Sequence, residues 1–137
     1  MNKIIYSGIF FNSETKNSLK YLAQQTFTSL FENIKLDHIT LFYGQDEIFE
    51  YGKEIKFDVI GYFKDNDCQA FSVSLSENVP NPENKSHHIT VSHTNNVSPK
   101  YSNEVISKTK FYSFDKPLTF IGKIGKYTKN GIVYEWF

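Results

Sequence analysis

The sequence predicts an α+β fold built mainly from antiparallel strands. Three observations lead there. Short apolar runs recur along the chain, and in residues 69–76 they alternate cleanly, with Phe71, Val73 and Leu75 on one face and Ser72, Ser74 and Ser76 on the other. One longer stretch places Leu19, Leu22, Ala23, Phe27, Leu30, Phe31 and Ile34 three and four residues apart, the spacing of one helix face. Near the end, Lys129-Asn130-Gly131 carries the Asn-Gly pair that favours tight hairpins.

Taken in order, residues 3–11 are apolar and β-prone and predict a first, central strand. Asn12-Ser13 can cap the helix that follows, expected over 14–33. Lys35-Leu36-Asp37 leads into a strand over 36–43, ended by Gly44, and residues 45–54 form a polar loop or short helical turn. Strands over 55–63 and 69–76 are joined by the turn Lys64-Asp65-Asn66-Asp67. Residues 77–86 hold two of the four prolines and predict a surface loop. A strand over 87–93 follows, then a loop, then a short helix over 103–109 with Ser102 as its N-cap. Strands over 117–127 and 131–137 close the chain. The glycines of Gly122-Lys123-Ile124-Gly125 lie within a strand pattern, so they read as a bend and not as a phosphate loop.

A chain of 137 residues makes one domain, or one domain of two small lobes. With 13 Phe and 9 Tyr against one Trp, its core must be rich in Phe and Tyr. Formal net charge is zero, which removes any bulk electrostatic case for binding long duplex nucleic acid. All 15 basic residues are Lys, so the bidentate guanidinium grip on phosphate is missing. A phosphate would be held by Lys, His, hydroxyls and backbone N–H groups. The lone Cys68 allows no intramolecular disulfide and points to a reducing, cytoplasmic setting. The apolar start stops at Phe11 with no small-residue cleavage site, so it reads as a strand and not as a signal peptide. No apolar segment approaches the length of a transmembrane helix.

The residues that carry chemistry are His38-Ile39-Thr40-Leu41 and His88-Ile89-Thr90-Val91. The tripeptide His-Ile-Thr occurs twice and uses two of the four histidines. In a strand, residues i and i+2 share a face. His38 and Thr40 therefore look one way while Ile39 and Leu41 anchor the strand, and His88 and Thr90 repeat the arrangement. Two imidazoles facing one cleft can divide the work of breaking a P–O ester, one taking a proton and the other giving one. A hydroxyl beside each can donate to phosphate oxygens.

Two His-x-Thr motifs, each in a strand of a small α+β chain, resemble the 2H phosphoesterase superfamily, also called LigT-like. Its pattern is His-x-(Thr/Ser)-x with apolar residues at x, and both motifs match it in full. The run from His88 through Pro99-Lys100-Tyr101-Ser102-Asn103 is similar to the cyclic-phosphodiesterase domain of tRNA-ligase-type proteins. The resemblance implies a bilobed arrangement of mostly antiparallel sheets around a central groove, with one motif per lobe, one long and one short helix, and no metal or other cofactor. It implies His38 and His88 as the acid/base pair and Thr40 and Thr90 as phosphate ligands. Members of the superfamily act on 2′,3′-cyclic phosphates, RNA ends and cyclic nucleotide signals. The chain is shorter than many of them and lacks their Arg.

Other residues have two readings each. Tyr6 and Tyr43 flank the strands concerned and can stack a base or simply fill the core. Ser92 is a third cleft hydroxyl or a solvated strand serine. Lys100, Ser102, Lys123 and Lys126 are candidates to border the groove, against a reading as ordinary surface residues. His87 and His93 fall on the strand face opposite His88, which argues against a zinc cluster. Thr90 and Ser92 stand where the histidine-triad hydrolases need further histidines. The expected function is a metal-independent phosphodiesterase acting on a small nucleotide or RNA-end substrate, with phage anti-defence as one setting. The alternative is a protein that binds and sequesters a nucleotide without turnover. Base specificity, the bond cut and the assignment of acid and base are open at this level.

Overall fold

A computed structural model describes residues 4–44, 49–75, 79–81 and 86–134. The elements are β1 (Ile4–Phe10), α1 (Ser13–Thr26), β2 (Asn33–Ile34), β3 (His38–Tyr43), β4 (Glu54–Lys64), β5 (Cys68–Leu75), β6 (His87–His93), α2 (Ser102–Lys108), β7 (Tyr112–Thr128) and β8 (Gly131–Val133). The α+β class and the antiparallel pairing are as the sequence predicts. Hydrogen-bonded neighbours run β1-β3-β6-β5-β4-β7, and β7 pairs back onto β1, so six strands close into a ring. Closure leaves the strands within the ring without an open edge. Ile9, Ile39, Leu41, Phe57, Phe71, Ile89, Val91 and Ile124 are all buried in one core. Fully burying an Ile or Phe side chain contributes roughly 1.5–3 kcal/mol. No helix among the described residues is long and apolar enough to cross a membrane.

Helix α1 starts as expected. The Asn12 side chain accepts a hydrogen bond from the Thr15 N–H at 2.8 Å, and Leu19 and Ala23 face the core. It ends at Thr26, well before the predicted residue 33. Phe27 turns extended and buries its ring against Tyr62 and Phe71. The Phe31 N–H is donated to Ser92 Oγ at 3.1 Å, and Asn33 and Ile34 pair with His93 and Ser92 of β6. Leu30, Phe31 and Ile34 keep helical spacing by coincidence, because bonds to β6 replace the helical ones. Strand β7 is longer than predicted, beginning at Tyr112 and not at 117. The expected strand over 131–137 is described only to Val133, residues 135–137 lying outside the described residues. The expected loops over 45–54 and 77–86 also fall partly outside them.

Two local devices aim the motif strands. The first is Leu36, buried with φ at 57°, the left-handed region that costs a branched L-residue about 1–2 kcal/mol. Backbone N–H groups of Lys35 and Leu36 bond the carbonyls of Val91 and Thr90, at 2.8 and 2.9 Å. Pairing with β6 then slips by two residues and resumes at Ile39↔Ile89. The second is a bulge opposite Gly8. Ser7 pairs with Phe42 and Gly8 with Thr40, leaving Leu41 as the extra residue. A Cβ on Gly8 would come within 2.7 Å of the Ile39 carbonyl oxygen, a backbone atom that cannot move without moving the first motif. Gly122 is likewise closed in, by Ile9 and the Phe10 carbonyl, which makes it a point of close strand approach.

Gly8→Ala is therefore expected to lower folding stability by about 1–3 kcal/mol, read as a lower midpoint in urea unfolding. An unchanged midpoint would show that β1 and β3 do not approach as closely as described.

Candidate functional site

The seam between β3 and β6 decides which side chains meet. Ile39 and Ile89 are antiparallel partners and both are fully buried. Residues on either side of a paired position project to the opposite face. His38, Thr40, His88 and Thr90 are thereby placed on one side of the seam. They line a single cavity of about 590 Å³.

Of the other residues singled out from sequence, Tyr6, Tyr43, Lys100 and Ser102 line the same cavity. Ser92 and Lys123 do not. Ser92 is neither a cleft hydroxyl nor solvated: it is fully buried, and its hydroxyl donates to Gln69 Oε1 at 2.5 Å while accepting from Phe31 N. Its face of β6 looks toward the cavity at Thr90, but by residue 92 the strand has passed beneath the α1–β2 connection. Lys123 is exposed and sits 5.4 Å from the Tyr134 ring centre. Lys126 turns into the interior, over the Tyr51 ring at 4.5 Å, and burial lowers its pKa. Neither lysine borders the groove.

Lys16, Lys35, Asp37 and Tyr127 line the cavity without having been selected from sequence. Asp37 and Lys35 flank the kink at Leu36. Lys16 comes from α1 and meets Asp37 at 3.5 Å, a half-exposed pair worth at most ~1 kcal/mol. Tyr127 arrives through the β1–β7 pairing, in which Tyr6 is its partner. Nearness in sequence to His38, at one and three positions, is a signal for Asp37 and Lys35. For Lys16 and Tyr127 no local signal exists, because only the closed ring brings them near.

The two motifs have different surroundings. His38 is covered by aromatic rings, with Tyr6 stacked at 4.8 Å and Phe10 at 5.6 Å between ring centres. Its Nε2 lies 3.0 Å from Thr40 Oγ1, and the Tyr6 hydroxyl is a longer 3.5 Å from Nδ1. Burial lowers the His38 pKa to about 4, with Asp37 opposing and Lys16 assisting that shift. The imidazole is thus neutral at pH 7. Burial, together with Tyr127, Asp37 and Tyr43, raises the Tyr6 pKa, so its phenol keeps its proton. Tyr6 is stacked on both His38 and Tyr127, the latter at 5.0 Å, whereas Tyr43 and Tyr127 each meet Tyr6 but are 41% and 37% exposed. Lys100 Nζ lies 5.5 Å from the Tyr43 ring centre, a cation beside an aromatic shelf.

His88 is instead bonded to a hydroxyl from another element. Its Nε2 is 2.8 Å from Ser102 Oγ. The predicted N-cap role of Ser102 is not what the structure has. Ser102 is already helical, Tyr101 occupies the cap position without a side-chain cap bond, and the Ser102 hydroxyl points toward the second motif. The segment that delivers it is pinned by the β4–β5 turn. Asp65 Oδ1 accepts from the N–H groups of Asp67 and Cys68, and its Oδ2 accepts from Tyr101 Oη at 2.7 Å. Asp67 Oδ1 accepts from Thr94 Oγ1 at 2.8 Å, and the Thr94 N–H bonds the Asp67 carbonyl.

Among the described residues no three His, Cys, Asp or Glu side chains gather as metal ligands. His93 Nδ1 donates to the Thr94 carbonyl at 2.8 Å, on the face of β6 turned away from His88. Comparison with family models and with curated proteins finds no match to this chain.

His38 has a testable signature. Its pKa falls from 6.5 in the unfolded chain to about 4 when folded, so between those values the unfolded state binds more protons. The stability it contributes is present above pH 6.5 and is lost as pH falls toward 4. Imidazole NMR should place its titration midpoint near 4, and urea unfolding should show a steeper loss of stability from pH 6.5 to 4.5 in the wild type than in His38→Gln. A midpoint near 6.5 would mean that the aromatic cover over His38 is open.

Proposed function

We propose that the protein is a metal-independent phosphodiesterase of the 2H type, acting on a small nucleotide or RNA-end phosphodiester in which a ribose 2′ oxygen takes part. One observation carries this reading: both His-x-Thr pairs, 50 positions apart in the chain, face one cavity. In this reading the ring consists of two lobes, β1-β3-β7 and β6-β5-β4, flanking the Ile39–Ile89 seam, with one motif from each. The absence of Arg gives hydroxyls and lysines the task of holding phosphate, and Lys16, Lys35 and Lys100 all line the cavity.

The roles follow from the two environments. His38 is neutral at pH 7 and serves as the base. It takes the proton from a water or a neighbouring 2′-hydroxyl, whose oxygen then bonds to phosphorus. As the P–O bond to the leaving oxygen breaks, that oxygen takes a proton from the imidazolium form of His88, which is left neutral while His38 holds the proton of the nucleophile. Thr40 and Thr90 donate hydrogen bonds to the non-bridging oxygens, where negative charge builds. Each histidine would supply roughly 10²–10⁴-fold in rate. Tyr43 and Tyr127 offer faces on which a base can stack. A cytoplasmic setting, suggested by the lone buried Cys68, belongs to the same reading.

The test is a panel of 2′,3′-cyclic, 3′,5′-cyclic and cyclic oligonucleotides incubated with the protein and EDTA, with products read by mass. Turnover of at least one is expected, and His38→Ala and His88→Ala should each lose more than ~10²-fold while keeping the wild-type circular dichroism spectrum. Retained activity in either variant would overturn the assigned roles. Inhibition by EDTA would overturn the metal-free mechanism. Tight binding without turnover would instead identify a nucleotide-sequestering protein.

A further inference from the structure

We infer that Ser102 is a positioning residue that keeps a proton on Nε2 of His88 and so fixes that imidazole as the proton-donating partner; the catalytic part of this inference rests on the reading above. Ser102 is 1% exposed. Three polar atoms surround its Oγ: the Pro99 carbonyl oxygen at 2.9 Å, Thr90 Oγ1 at 2.9 Å and His88 Nε2 at 2.8 Å. A hydroxyl has one proton to give and two lone pairs to receive. A carbonyl oxygen can only accept, so the single Ser102 proton goes to Pro99. Thr90 donates its own proton to one lone pair. The remaining lone pair faces His88 Nε2 and can be satisfied only by an N–H. The proton of His88 is therefore held on Nε2, the nitrogen beside Ser102 Oγ, and both residues line the cavity.

That arrangement has a chemical consequence. A general acid is useful only if its proton sits on the nitrogen that can reach the leaving oxygen. The donating form is the imidazolium, which carries a proton on each nitrogen; the acceptor at Ser102 Oγ, polarised by the Pro99 carbonyl, favours and orients its Nε2–H, and in the neutral ring it keeps the one proton on Nε2. His38 has no comparable relay, since its Nε2 meets the threonine of its own motif. Two motifs identical in sequence thus become unlike in function because one of them is read by a hydroxyl from α2. On substrate binding the His88 N–H turns from Ser102 Oγ to the leaving oxygen and the single Thr90 O–H proton turns from Ser102 Oγ to a non-bridging oxygen, and Ser102 itself need not touch substrate.

The experiment follows the His88 ring proton in whole protein labelled with ¹⁵N-histidine, alongside steady-state kinetics on whichever cyclic nucleotide is turned over. In the wild type the Nε2–H signal should be visible, slowed in exchange with water by its bond to Ser102. In Ser102→Ala it should be lost to exchange, and in Ser102→Thr, which keeps the hydroxyl, it should return. The Ala variant should lose about 10-fold or more in kcat, less than His88→Ala, with KM nearly unchanged. An Nε2–H signal that persists in a folded Ser102→Ala variant, or a neutral wild-type ring with its one proton on Nδ1, would overturn the inference. So would a raised KM with kcat unchanged, which would make Ser102 a substrate contact. If no nucleotide is turned over by any form, the ring-proton measurement still decides the Ser102–His88 relation independently of the proposed activity.

Discussion

The antiparallel pairing of Ile39 with Ile89 is the constraint on which the site depends. Each isoleucine is the central residue of its motif, and both are buried without measurable exposure. Because side chains alternate along a strand, centring the register on these two residues turns all four flanking polar groups the same way. A slip of one residue would send the histidines into the core and the isoleucines into the cavity. The hydrophobic cost of that exchange holds the register, so packing energy on one face of the seam decides which polar side chains line the cavity on the other. The strained Leu36 and the bulge opposite Gly8 absorb the irregularities on either side that would otherwise pull the register away.

Symmetry in sequence does not survive in the folded site. His38 lies beneath Tyr6 and Phe10, in surroundings that disfavour charge. His88 lies beside a hydroxyl whose own proton is directed at a carbonyl. The proposed two-histidine chemistry needs this division, since its base starts as a neutral imidazole and its acid as an imidazolium. The difference arises from neighbours contributed by β1 on one side and α2 on the other, so it is a property of the tertiary structure.

The strand phases were legible in the sequence because they depend on alternation alone. His87–His93 has the bounds that its pattern predicts, and the choice of His88 over His87 follows from the same alternation. Helix α1 was overrun because no glycine or proline marks its end and the apolar spacing continues to Ile34, where hydrogen bonds to β6 take over. Ser102 looked like a cap because serine before a short polar helix usually is one. Its true partner lies 14 residues away, on a strand with which local sequence gives no hint of contact. Ser92 and Lys123 depart from the sequence expectation for a related reason. Alternation tells which face a residue takes but not what covers that face further along the strand.

The β4–β5 turn extends the site beyond its own walls. Asp65 and Asp67 close a tight hairpin and also grip Tyr101 and Thr94 on either side of the segment leading to α2. An exposed turn of this kind is ordinarily where a chain best accepts added residues. Here lengthening it would release the segment that carries Ser102, although neither aspartate lies in the cavity. The most accommodating stretch by appearance is thus among those least open to change in length, and divergence among chains of this design should spare the spacing between Asp65 and Cys68 while altering the outer face of the hairpin freely.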